Sequence, residues 1–156
     1  MVIFITITTL LHGILFFLDE HILNKRRGLS KVEIISSLVD GILYLVLVAM
    51  TVFAPFNEFT RLLYLTLAVL SCLSIIKNEW IYPDLEKVER LVHAALYILH
   101  PLIIYAFYIS WKQDFFNTQM TYWMLQLCYL ILGFKAMSYH VIYWNYIYQG
   151  NNKVNN

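Results

Sequence analysis

Charged side chains are scarce in this chain. They make up 13% of its 156 residues, whereas soluble domains average about 25%. This scarcity argues against a soluble globular protein. The net charge is only +1 and no basic face extends beyond one loop, so we expect no nucleic-acid partner.

Other familiar signatures are also missing. The two cysteines, Cys72 and Cys128, lie inside apolar stretches, which does not favour a disulfide framework. No HExxH or HxxxH pattern occurs, so the sequence contains no recognised metal-binding motif. Without a complete catalytic or binding motif, the sequence leaves open whether the protein is an enzyme.

Long apolar runs are what the chain has instead. Five of them cover Val2–Leu18, Ile34–Ala54, Leu62–Ile76, Leu91–Trp111 and Met120–Tyr148. A helix needs about 20 mostly apolar residues to cross a hydrocarbon core of about 30 Å. The runs therefore predict an all-α fold: a transmembrane bundle of five helices in a single domain, residues 1–149. Residues 150–156 are polar and are predicted to form a disordered tail.

The basic residues predict the orientation of this bundle. Cytoplasmic connectors of membrane proteins carry an excess of Lys and Arg. One side of the bundle holds Lys25, Arg26, Arg27, Lys31, Lys77, Lys87, Arg90 and Lys153, while the other side holds Arg61 and Lys112. The N-terminus is therefore predicted to lie outside and the C-terminus in the cytoplasm. The protein is expected to be an integral multi-pass protein of the cell or inner membrane.

Polar residues recur at helical spacing along the predicted spans. In the fourth span Glu89, His93 and His100 share one helix face, and in the second span Glu33 and Asp40 do the same. Titratable groups are costly in hydrocarbon, so these polar stripes should face one another inside the bundle.

Depth in the membrane separates the polar residues into two layers. At 1.5 Å of rise per residue, the residues near the cytoplasmic surface are Asp19, Glu20, Glu33, Glu79, Glu89, His93 and His140. About 9–14 Å below that surface, on the same rise, lie His12, Asp40 and His100. The sequence therefore predicts a pocket open to the cytoplasm, with a carboxylate-rich mouth and a floor of two histidines and an aspartate.

Several residues near the connectors have simpler interpretations. Ser30 and Glu33 have the spacing of a capping box at the start of the second span. Glu20 is expected to be a solvated loop charge. Arg27 is expected to set topology and touch anionic lipid headgroups, and Trp144 is expected to anchor the bundle at the membrane interface.

The leading functional hypothesis is a metal-dependent membrane enzyme. Imidazole and carboxylate groups together suit a divalent metal such as Zn or Fe, which could act on a lipid or other amphiphile from the cytoplasmic leaflet. The predicted metal ligands are His12, His93, His100 and His140, and the predicted catalytic residues are Asp40 and Glu89. The expected partners are the lipid bilayer and a lipid substrate.

Three other functions stay open. The main alternative is a membrane assembly or scaffold protein whose buried polar residues only join helices. Ion or proton transport through Asp40 and Glu89 would require a homo-oligomer, because five spans leave little room for alternating access. A haem could bind between two histidines, such as His12 and His100.

Overall fold

Six α-helices form the described part of the protein. The computed structural model describes residues 2–81, 85–114 and 120–148, so the predicted tail at residues 150–156 lies outside it. The helices are α1 (Val2–Leu18), α2 (Asn24–Arg27), α3 (Lys31–Phe53), α4 (Glu58–Ile81), α5 (Lys87–Lys112) and α6 (Met120–Ile142). Two π-helical segments, Asp19–Leu23 and Tyr143–Ile147, continue α1 and α6.

Five helices are long and apolar enough to cross a membrane, which confirms the predicted all-α bundle of five long helices. The first of them runs without a break through α1, the π-helical segment Asp19–Leu23 and α2. The outward faces carry exposed apolar side chains such as Ile3, Phe59, Leu91 and Phe134. A surface of this kind fits lipid better than water. The orientation of the bundle across a membrane stays a prediction.

Helix α3 contacts most of the other long helices. It packs against α4, α5 and α6, while α1 packs against α5. Contacts of Arg27 with Glu33 and Glu89 show that the end of α2 meets the beginnings of α3 and α5. The end of the bundle that contains these three residues is called the charged end below. The end that contains Ala54 and Trp111 is called the opposite end.

An apolar cluster fills part of the interior toward the opposite end. Leu47 and Val48 of α3 pack in one cluster with Ile103 of α5 and Tyr64 of α4, and each is at most 1% exposed. The Tyr64 hydroxyl donates to the carbonyl of Ile104, with an oxygen–oxygen distance of 2.8 Å. The one polar atom that Tyr64 brings into this cluster is therefore satisfied.

The turn between α2 and α3 positions Arg27. Gly28 has φ = 79°, a conformation that favours glycine, and a Cβ there would meet the hydroxyl of Tyr148. Helix α3 then begins with the predicted capping box, which is confirmed: Ser30 Oγ accepts from the Glu33 amide at 3.3 Å, and Glu33 Oε2 accepts from the Ser30 amide at 2.6 Å. The chain reverses direction here, so Arg27 lies beside the first turn of α3.

Candidate functional site

A cavity of about 130 Å³ lies between α1, α3, α4 and α5 in the half of the bundle nearer the charged end. The polar residues in its wall include His12, Asp19, Asp40, His93 and His100. Four of the six predicted site residues are in this set, and the other two, Glu89 and His140, lie outside the lining. The structure therefore brings the predicted floor and part of the predicted mouth together in one space.

The floor of the cavity is a cluster of three rings. The ring of Tyr44 lies 5.2 Å from that of His12 and 5.1 Å from that of His100, between centroids. The two histidine rings are 6.3 Å apart. All three residues are at least 90% buried. Helices α1, α3 and α5 each supply one ring, so the floor depends on the packing of three helices.

Each floor histidine makes one hydrogen bond to another helix. His12 Nδ1 lies 3.1 Å from the hydroxyl of Tyr129, which is itself 2.8 Å from the hydroxyl of Tyr44. His100 Nε2 lies 2.8 Å from the hydroxyl of Ser71. Within the part of the chain that the structure describes, the second ring nitrogens, Nε2 of His12 and Nδ1 of His100, have no hydrogen-bond partner. Both histidines line the cavity.

Asp40 is held on the side of the cavity next to α4. Its carboxylate accepts a hydrogen bond from Ser74 and lies 3.7 Å from Lys77 Nζ. Lys77 also donates to Ser74 Oγ at 3.0 Å. Sequence reasoning did not single out Ser74, although it lies three residues after Ser71 on α4. That spacing places both serines toward one helix face.

Asp19 and His93 form a pair in the cavity wall nearest the charged end. His93 Nε2 lies 2.9 Å from Asp19 Oδ1, and the side chains are 8% and 15% exposed. Asp19 begins the π-helical segment that follows α1. π-Helical turns often occur at functional sites, and this one places a carboxylate against a histidine of α5.

Glu20, the next residue, makes a second carboxylate–histidine pair outside the cavity. Its Oε1 lies 2.8 Å from His140 Nδ1 and accepts from Trp144 Nε1 at 2.9 Å, and its Oε2 accepts from the side-chain amide of Asn24 at 3.3 Å. The expectation of a solvated Glu20 is wrong, because the residue is 3% exposed. The expectation of an interfacial Trp144 is also wrong, because it is fully buried. Glu20 and Trp144 belong to the two π-helical segments, so the two segments meet at this contact.

Glu89 is paired with Arg27 at the charged end, and Arg27 is shared with Glu33. Arg27 Nε lies 2.9 Å from Glu89 Oε1, and Arg27 Nη1 lies 2.5 Å from Glu33 Oε1. Both carboxylates are at least 90% buried, whereas the Arg27 side chain is 26% exposed. Arg27 was interpreted from the sequence as a topology residue, yet here it joins α2 to α3 and α5.

The four predicted metal ligands divide among three places. His12 and His100 share the cavity floor, His93 bonds to Asp19, and His140 bonds to Glu20. Among the described residues, no group of three or more His, Cys, Asp or Glu side chains is arranged to hold a metal ion. Metal binding by this set stays a prediction, and it would require side chains to leave their present partners.

Comparison with known proteins gives no further guidance. No family model, curated protein or solved structure matches this chain.

Proposed function

We propose that this protein is a membrane-embedded enzyme that binds the polar end of a lipid or other amphiphile in the cavity and exchanges a proton with it. The observation that carries the proposal is the Asp19–His93 pair, at 2.9 Å, on the wall of the cavity that Asp40 also lines. A carboxylate beside an imidazole orients the ring and stabilises its protonated form. His93 is therefore the candidate general acid or base, and Asp19 is its positioning residue.

The closure of the opposite end supports access from one side. Beyond the floor residues Tyr44 and His100, the interior continues with Leu47, Val48 and Ile103. A substrate that enters from the charged end would meet Asp19 and His93 first. If the basic connectors predict orientation correctly, that end faces the cytoplasm.

Turnover of lipids by the purified protein tests the proposal. The protein is reconstituted into vesicles made from the polar lipids of its expression host, and the lipids are followed by mass spectrometry. We expect His93→Gln to reduce turnover by at least about 100-fold, the contribution typical of a general acid or base. His21→Gln is the matched control, because His21 stacks between Phe17 and Tyr139 outside the cavity lining. An unchanged lipid profile with the wild-type protein would remove the enzyme proposal.

A metal-dependent form of the enzyme, with Zn or Fe held by predicted ligands such as His12 and His100, has a separate test. Elemental analysis of the purified protein measures bound metal per chain. A stoichiometry near one that falls in His100→Ala would favour this form. A stoichiometry near zero would remove the metal-dependent form and retain an enzyme that uses acid–base catalysis without a metal.

A scaffold protein is the second candidate, and one observation favours it. All six predicted site residues bond to a side chain of another helical segment, as Glu89 does to Arg27, His140 to Glu20 and Asp40 to Ser74. Such contacts stabilise helix association without any substrate. A scaffold would lose thermal stability but no activity in Asp40→Asn and His100→Gln. Loss of turnover at unchanged melting temperature would contradict it.

Transport and haem binding have less support. The apolar residues Leu47, Val48 and Ile103 occupy the interior next to the cavity floor on the side of the opposite end, which gives no support to a proton path along α3 and α5. The cavity volume of about 130 Å³ lies below the roughly 300–1,000 Å³ of sites for drug-sized ligands, and a haem is larger than these ligands.

A further inference from the structure

The cavity wall carries more negative than positive charge. Asp19 and Asp40 line it, whereas Lys77, 3.7 Å from Asp40, is 42% exposed and lies outside the lining. His93 offsets the charge of Asp19 when its ring is protonated. An anionic ligand would approach two carboxylates, which like-charge repulsion disfavours. A neutral or cationic group therefore fits this wall better.

The remainder of the wall consists mainly of rings. Phe16, Tyr44 and Tyr97 line the cavity together with the three histidines. Aromatic rings attract organic cations through their electron-rich faces, as in the aromatic cages that bind quaternary ammonium ligands. Rings combined with carboxylates are therefore a suitable environment for an ammonium group.

Two ring nitrogens of the cavity-lining histidines indicate that the ligand donates hydrogen bonds. His12 is 9% exposed and His100 is 4% exposed. Among the described residues, His12 Nε2 and His100 Nδ1 have no hydrogen-bond partner, and neither is among the ring nitrogens sealed from solvent. In the neutral tautomers in which His12 Nδ1 donates to Tyr129 and His100 Nε2 donates to Ser71, these two nitrogens accept hydrogen bonds, and a primary ammonium group has three N–H donors. One primary ammonium group therefore has enough N–H donors to bond to both ring nitrogens and to one carboxylate.

The cavity also limits the size of the bound group. Its volume of about 130 Å³ is less than half the lower bound of about 300 Å³ for sites of drug-sized ligands. It suits a small molecule or the polar end of a larger one. The tail of an amphiphile would remain between the helices or in the lipid.

We infer that the cavity recognises an organic ammonium group, on a small amine or on the headgroup of an amphiphile such as an aminophospholipid. Asp19 and Asp40 supply the negative charge, and the faces of the aromatic rings contact the cation. His12 and His100 accept hydrogen bonds from its N–H groups. This inference rests on the proposed function and narrows its substrate to molecules that carry an amine.

Calorimetric titration of the purified protein in detergent tests the inference with probes of similar size. Ethylammonium is expected to bind at least tenfold more tightly than ethanol, and acetate is expected not to bind. Tetramethylammonium should bind more weakly than ethylammonium, because it has no N–H to donate to the two histidines. Tighter binding of acetate or inorganic phosphate than of ethylammonium would overturn the inference. Binding of Zn²⁺ without any binding of ethylammonium would overturn it too.

Two variants locate the binding in the cavity. Asp40→Asn keeps the shape of the side chain and removes its charge, so ethylammonium should bind at least tenfold more weakly. Ile75→Phe enlarges an apolar side chain of the lining without touching a charge, and it should block binding by filling the space. His21→Gln, outside the lining, should bind like the wild type. Unchanged affinity in a folded Asp40→Asn or Ile75→Phe protein would contradict the assignment.

Lipid nanodiscs distinguish the two sources of the amine. If the ligand is a headgroup, nanodiscs of phosphatidylethanolamine should weaken ethylammonium binding by competition, whereas nanodiscs of phosphatidylglycerol should not. Equal affinity in both lipids would assign the site to a small soluble amine. Ammonium binding without lipid turnover would support the site and remove the enzyme. Turnover of amine-free lipids without ammonium binding would retain the enzyme and remove this inference.

Discussion

The two ends of the bundle are formed by the same helices but have different interiors. At the charged end, buried charged residues such as Glu20 and Glu89, each 3% exposed, bond to partners on other helical segments. At the opposite end, Leu47 and Ile103 pack in an apolar cluster and are at most 1% exposed. The stability of the charged end therefore depends mainly on paired charged side chains, whereas the stability of the apolar cluster depends on how closely its side chains pack. A polar interior can line a cavity with titratable side chains. It also makes each paired group difficult to replace, because its partner would be left buried without a hydrogen bond.

The largest effect is expected from Arg27→Met. Loss of the guanidinium leaves Glu33 and Glu89 without their cation, and breaking a buried pair typically costs about 3 kcal/mol or more. Arg26→Met is the matched control, because Arg26 is 73% exposed and 3.7 Å from Glu86. Unfolding in mixed micelles measures both variants. Equal stability of the two would show that the charged end does not depend on this cation.

A somewhat smaller effect is expected at the opposite end from Leu47→Ala. The missing side chain leaves a cavity in the cluster, and such truncations cost about 2 kcal/mol or more. In a membrane the packing loss dominates, because lipid is as apolar as leucine. Turnover and ammonium affinity per folded protein should stay at the wild-type level. A change in ligand affinity would mean that the two ends are coupled.

A matched pair of hydrogen-bond deletions compares the ends directly. Trp144→Phe removes the bond to the buried carboxylate of Glu20 and should cost about 1.5 kcal/mol, since the acceptor is charged. Tyr64→Phe removes a bond to the neutral carbonyl of Ile104 and should cost about 0.6 kcal/mol, the average for interhelical hydrogen bonds in a membrane. The difference in unfolding free energy is the quantity to measure, and a reversed order would contradict the comparison.

A smaller effect than that of Trp144→Phe is expected from Ser30→Ala. This change removes one half of the capping box at the start of α3 and should cost about 1 kcal/mol. Ser138→Ala is a suitable control, because the Ser138 hydroxyl bonds only within its own helix, to the carbonyl of Phe134. Hydrogen exchange at the first amides of α3 reports the local loss. Unaltered protection there would show that Arg27, rather than the cap, holds this helix start.

Depth along the bundle could be predicted from the sequence, because each residue adds about 1.5 Å of rise to a helix. His12, Asp40 and His100 were predicted to lie at one level, and all three line one cavity. The inward side of a regular helix was also predictable, because 100° per residue determines which positions share a face. His93 and His100 follow this rule on α5.

The partner of each polar residue could not be predicted. Helical periodicity says nothing about how two helices rotate relative to each other, so Asp40 could not be assigned to Ser74 and Lys77. The π-helical segment at Asp19–Leu23 interrupts the regular 100° step. Glu20 was expected in solvent because the sequence assigned it to a connector, whereas in the structure it belongs to this segment and is buried.

The sequence by itself determined five apolar helices, the capped start of α3 and a concentration of titratable residues toward one end, because length, spacing and charge act along a single helix. Only the tertiary structure decided which of these residues surround the cavity and which, such as Glu89 and His140, are taken up by partners outside it. The partner of each residue depends on how the helices are rotated relative to one another, on the two π-helical segments and on the position of Arg27. They arise from contacts between segments that are distant in the chain.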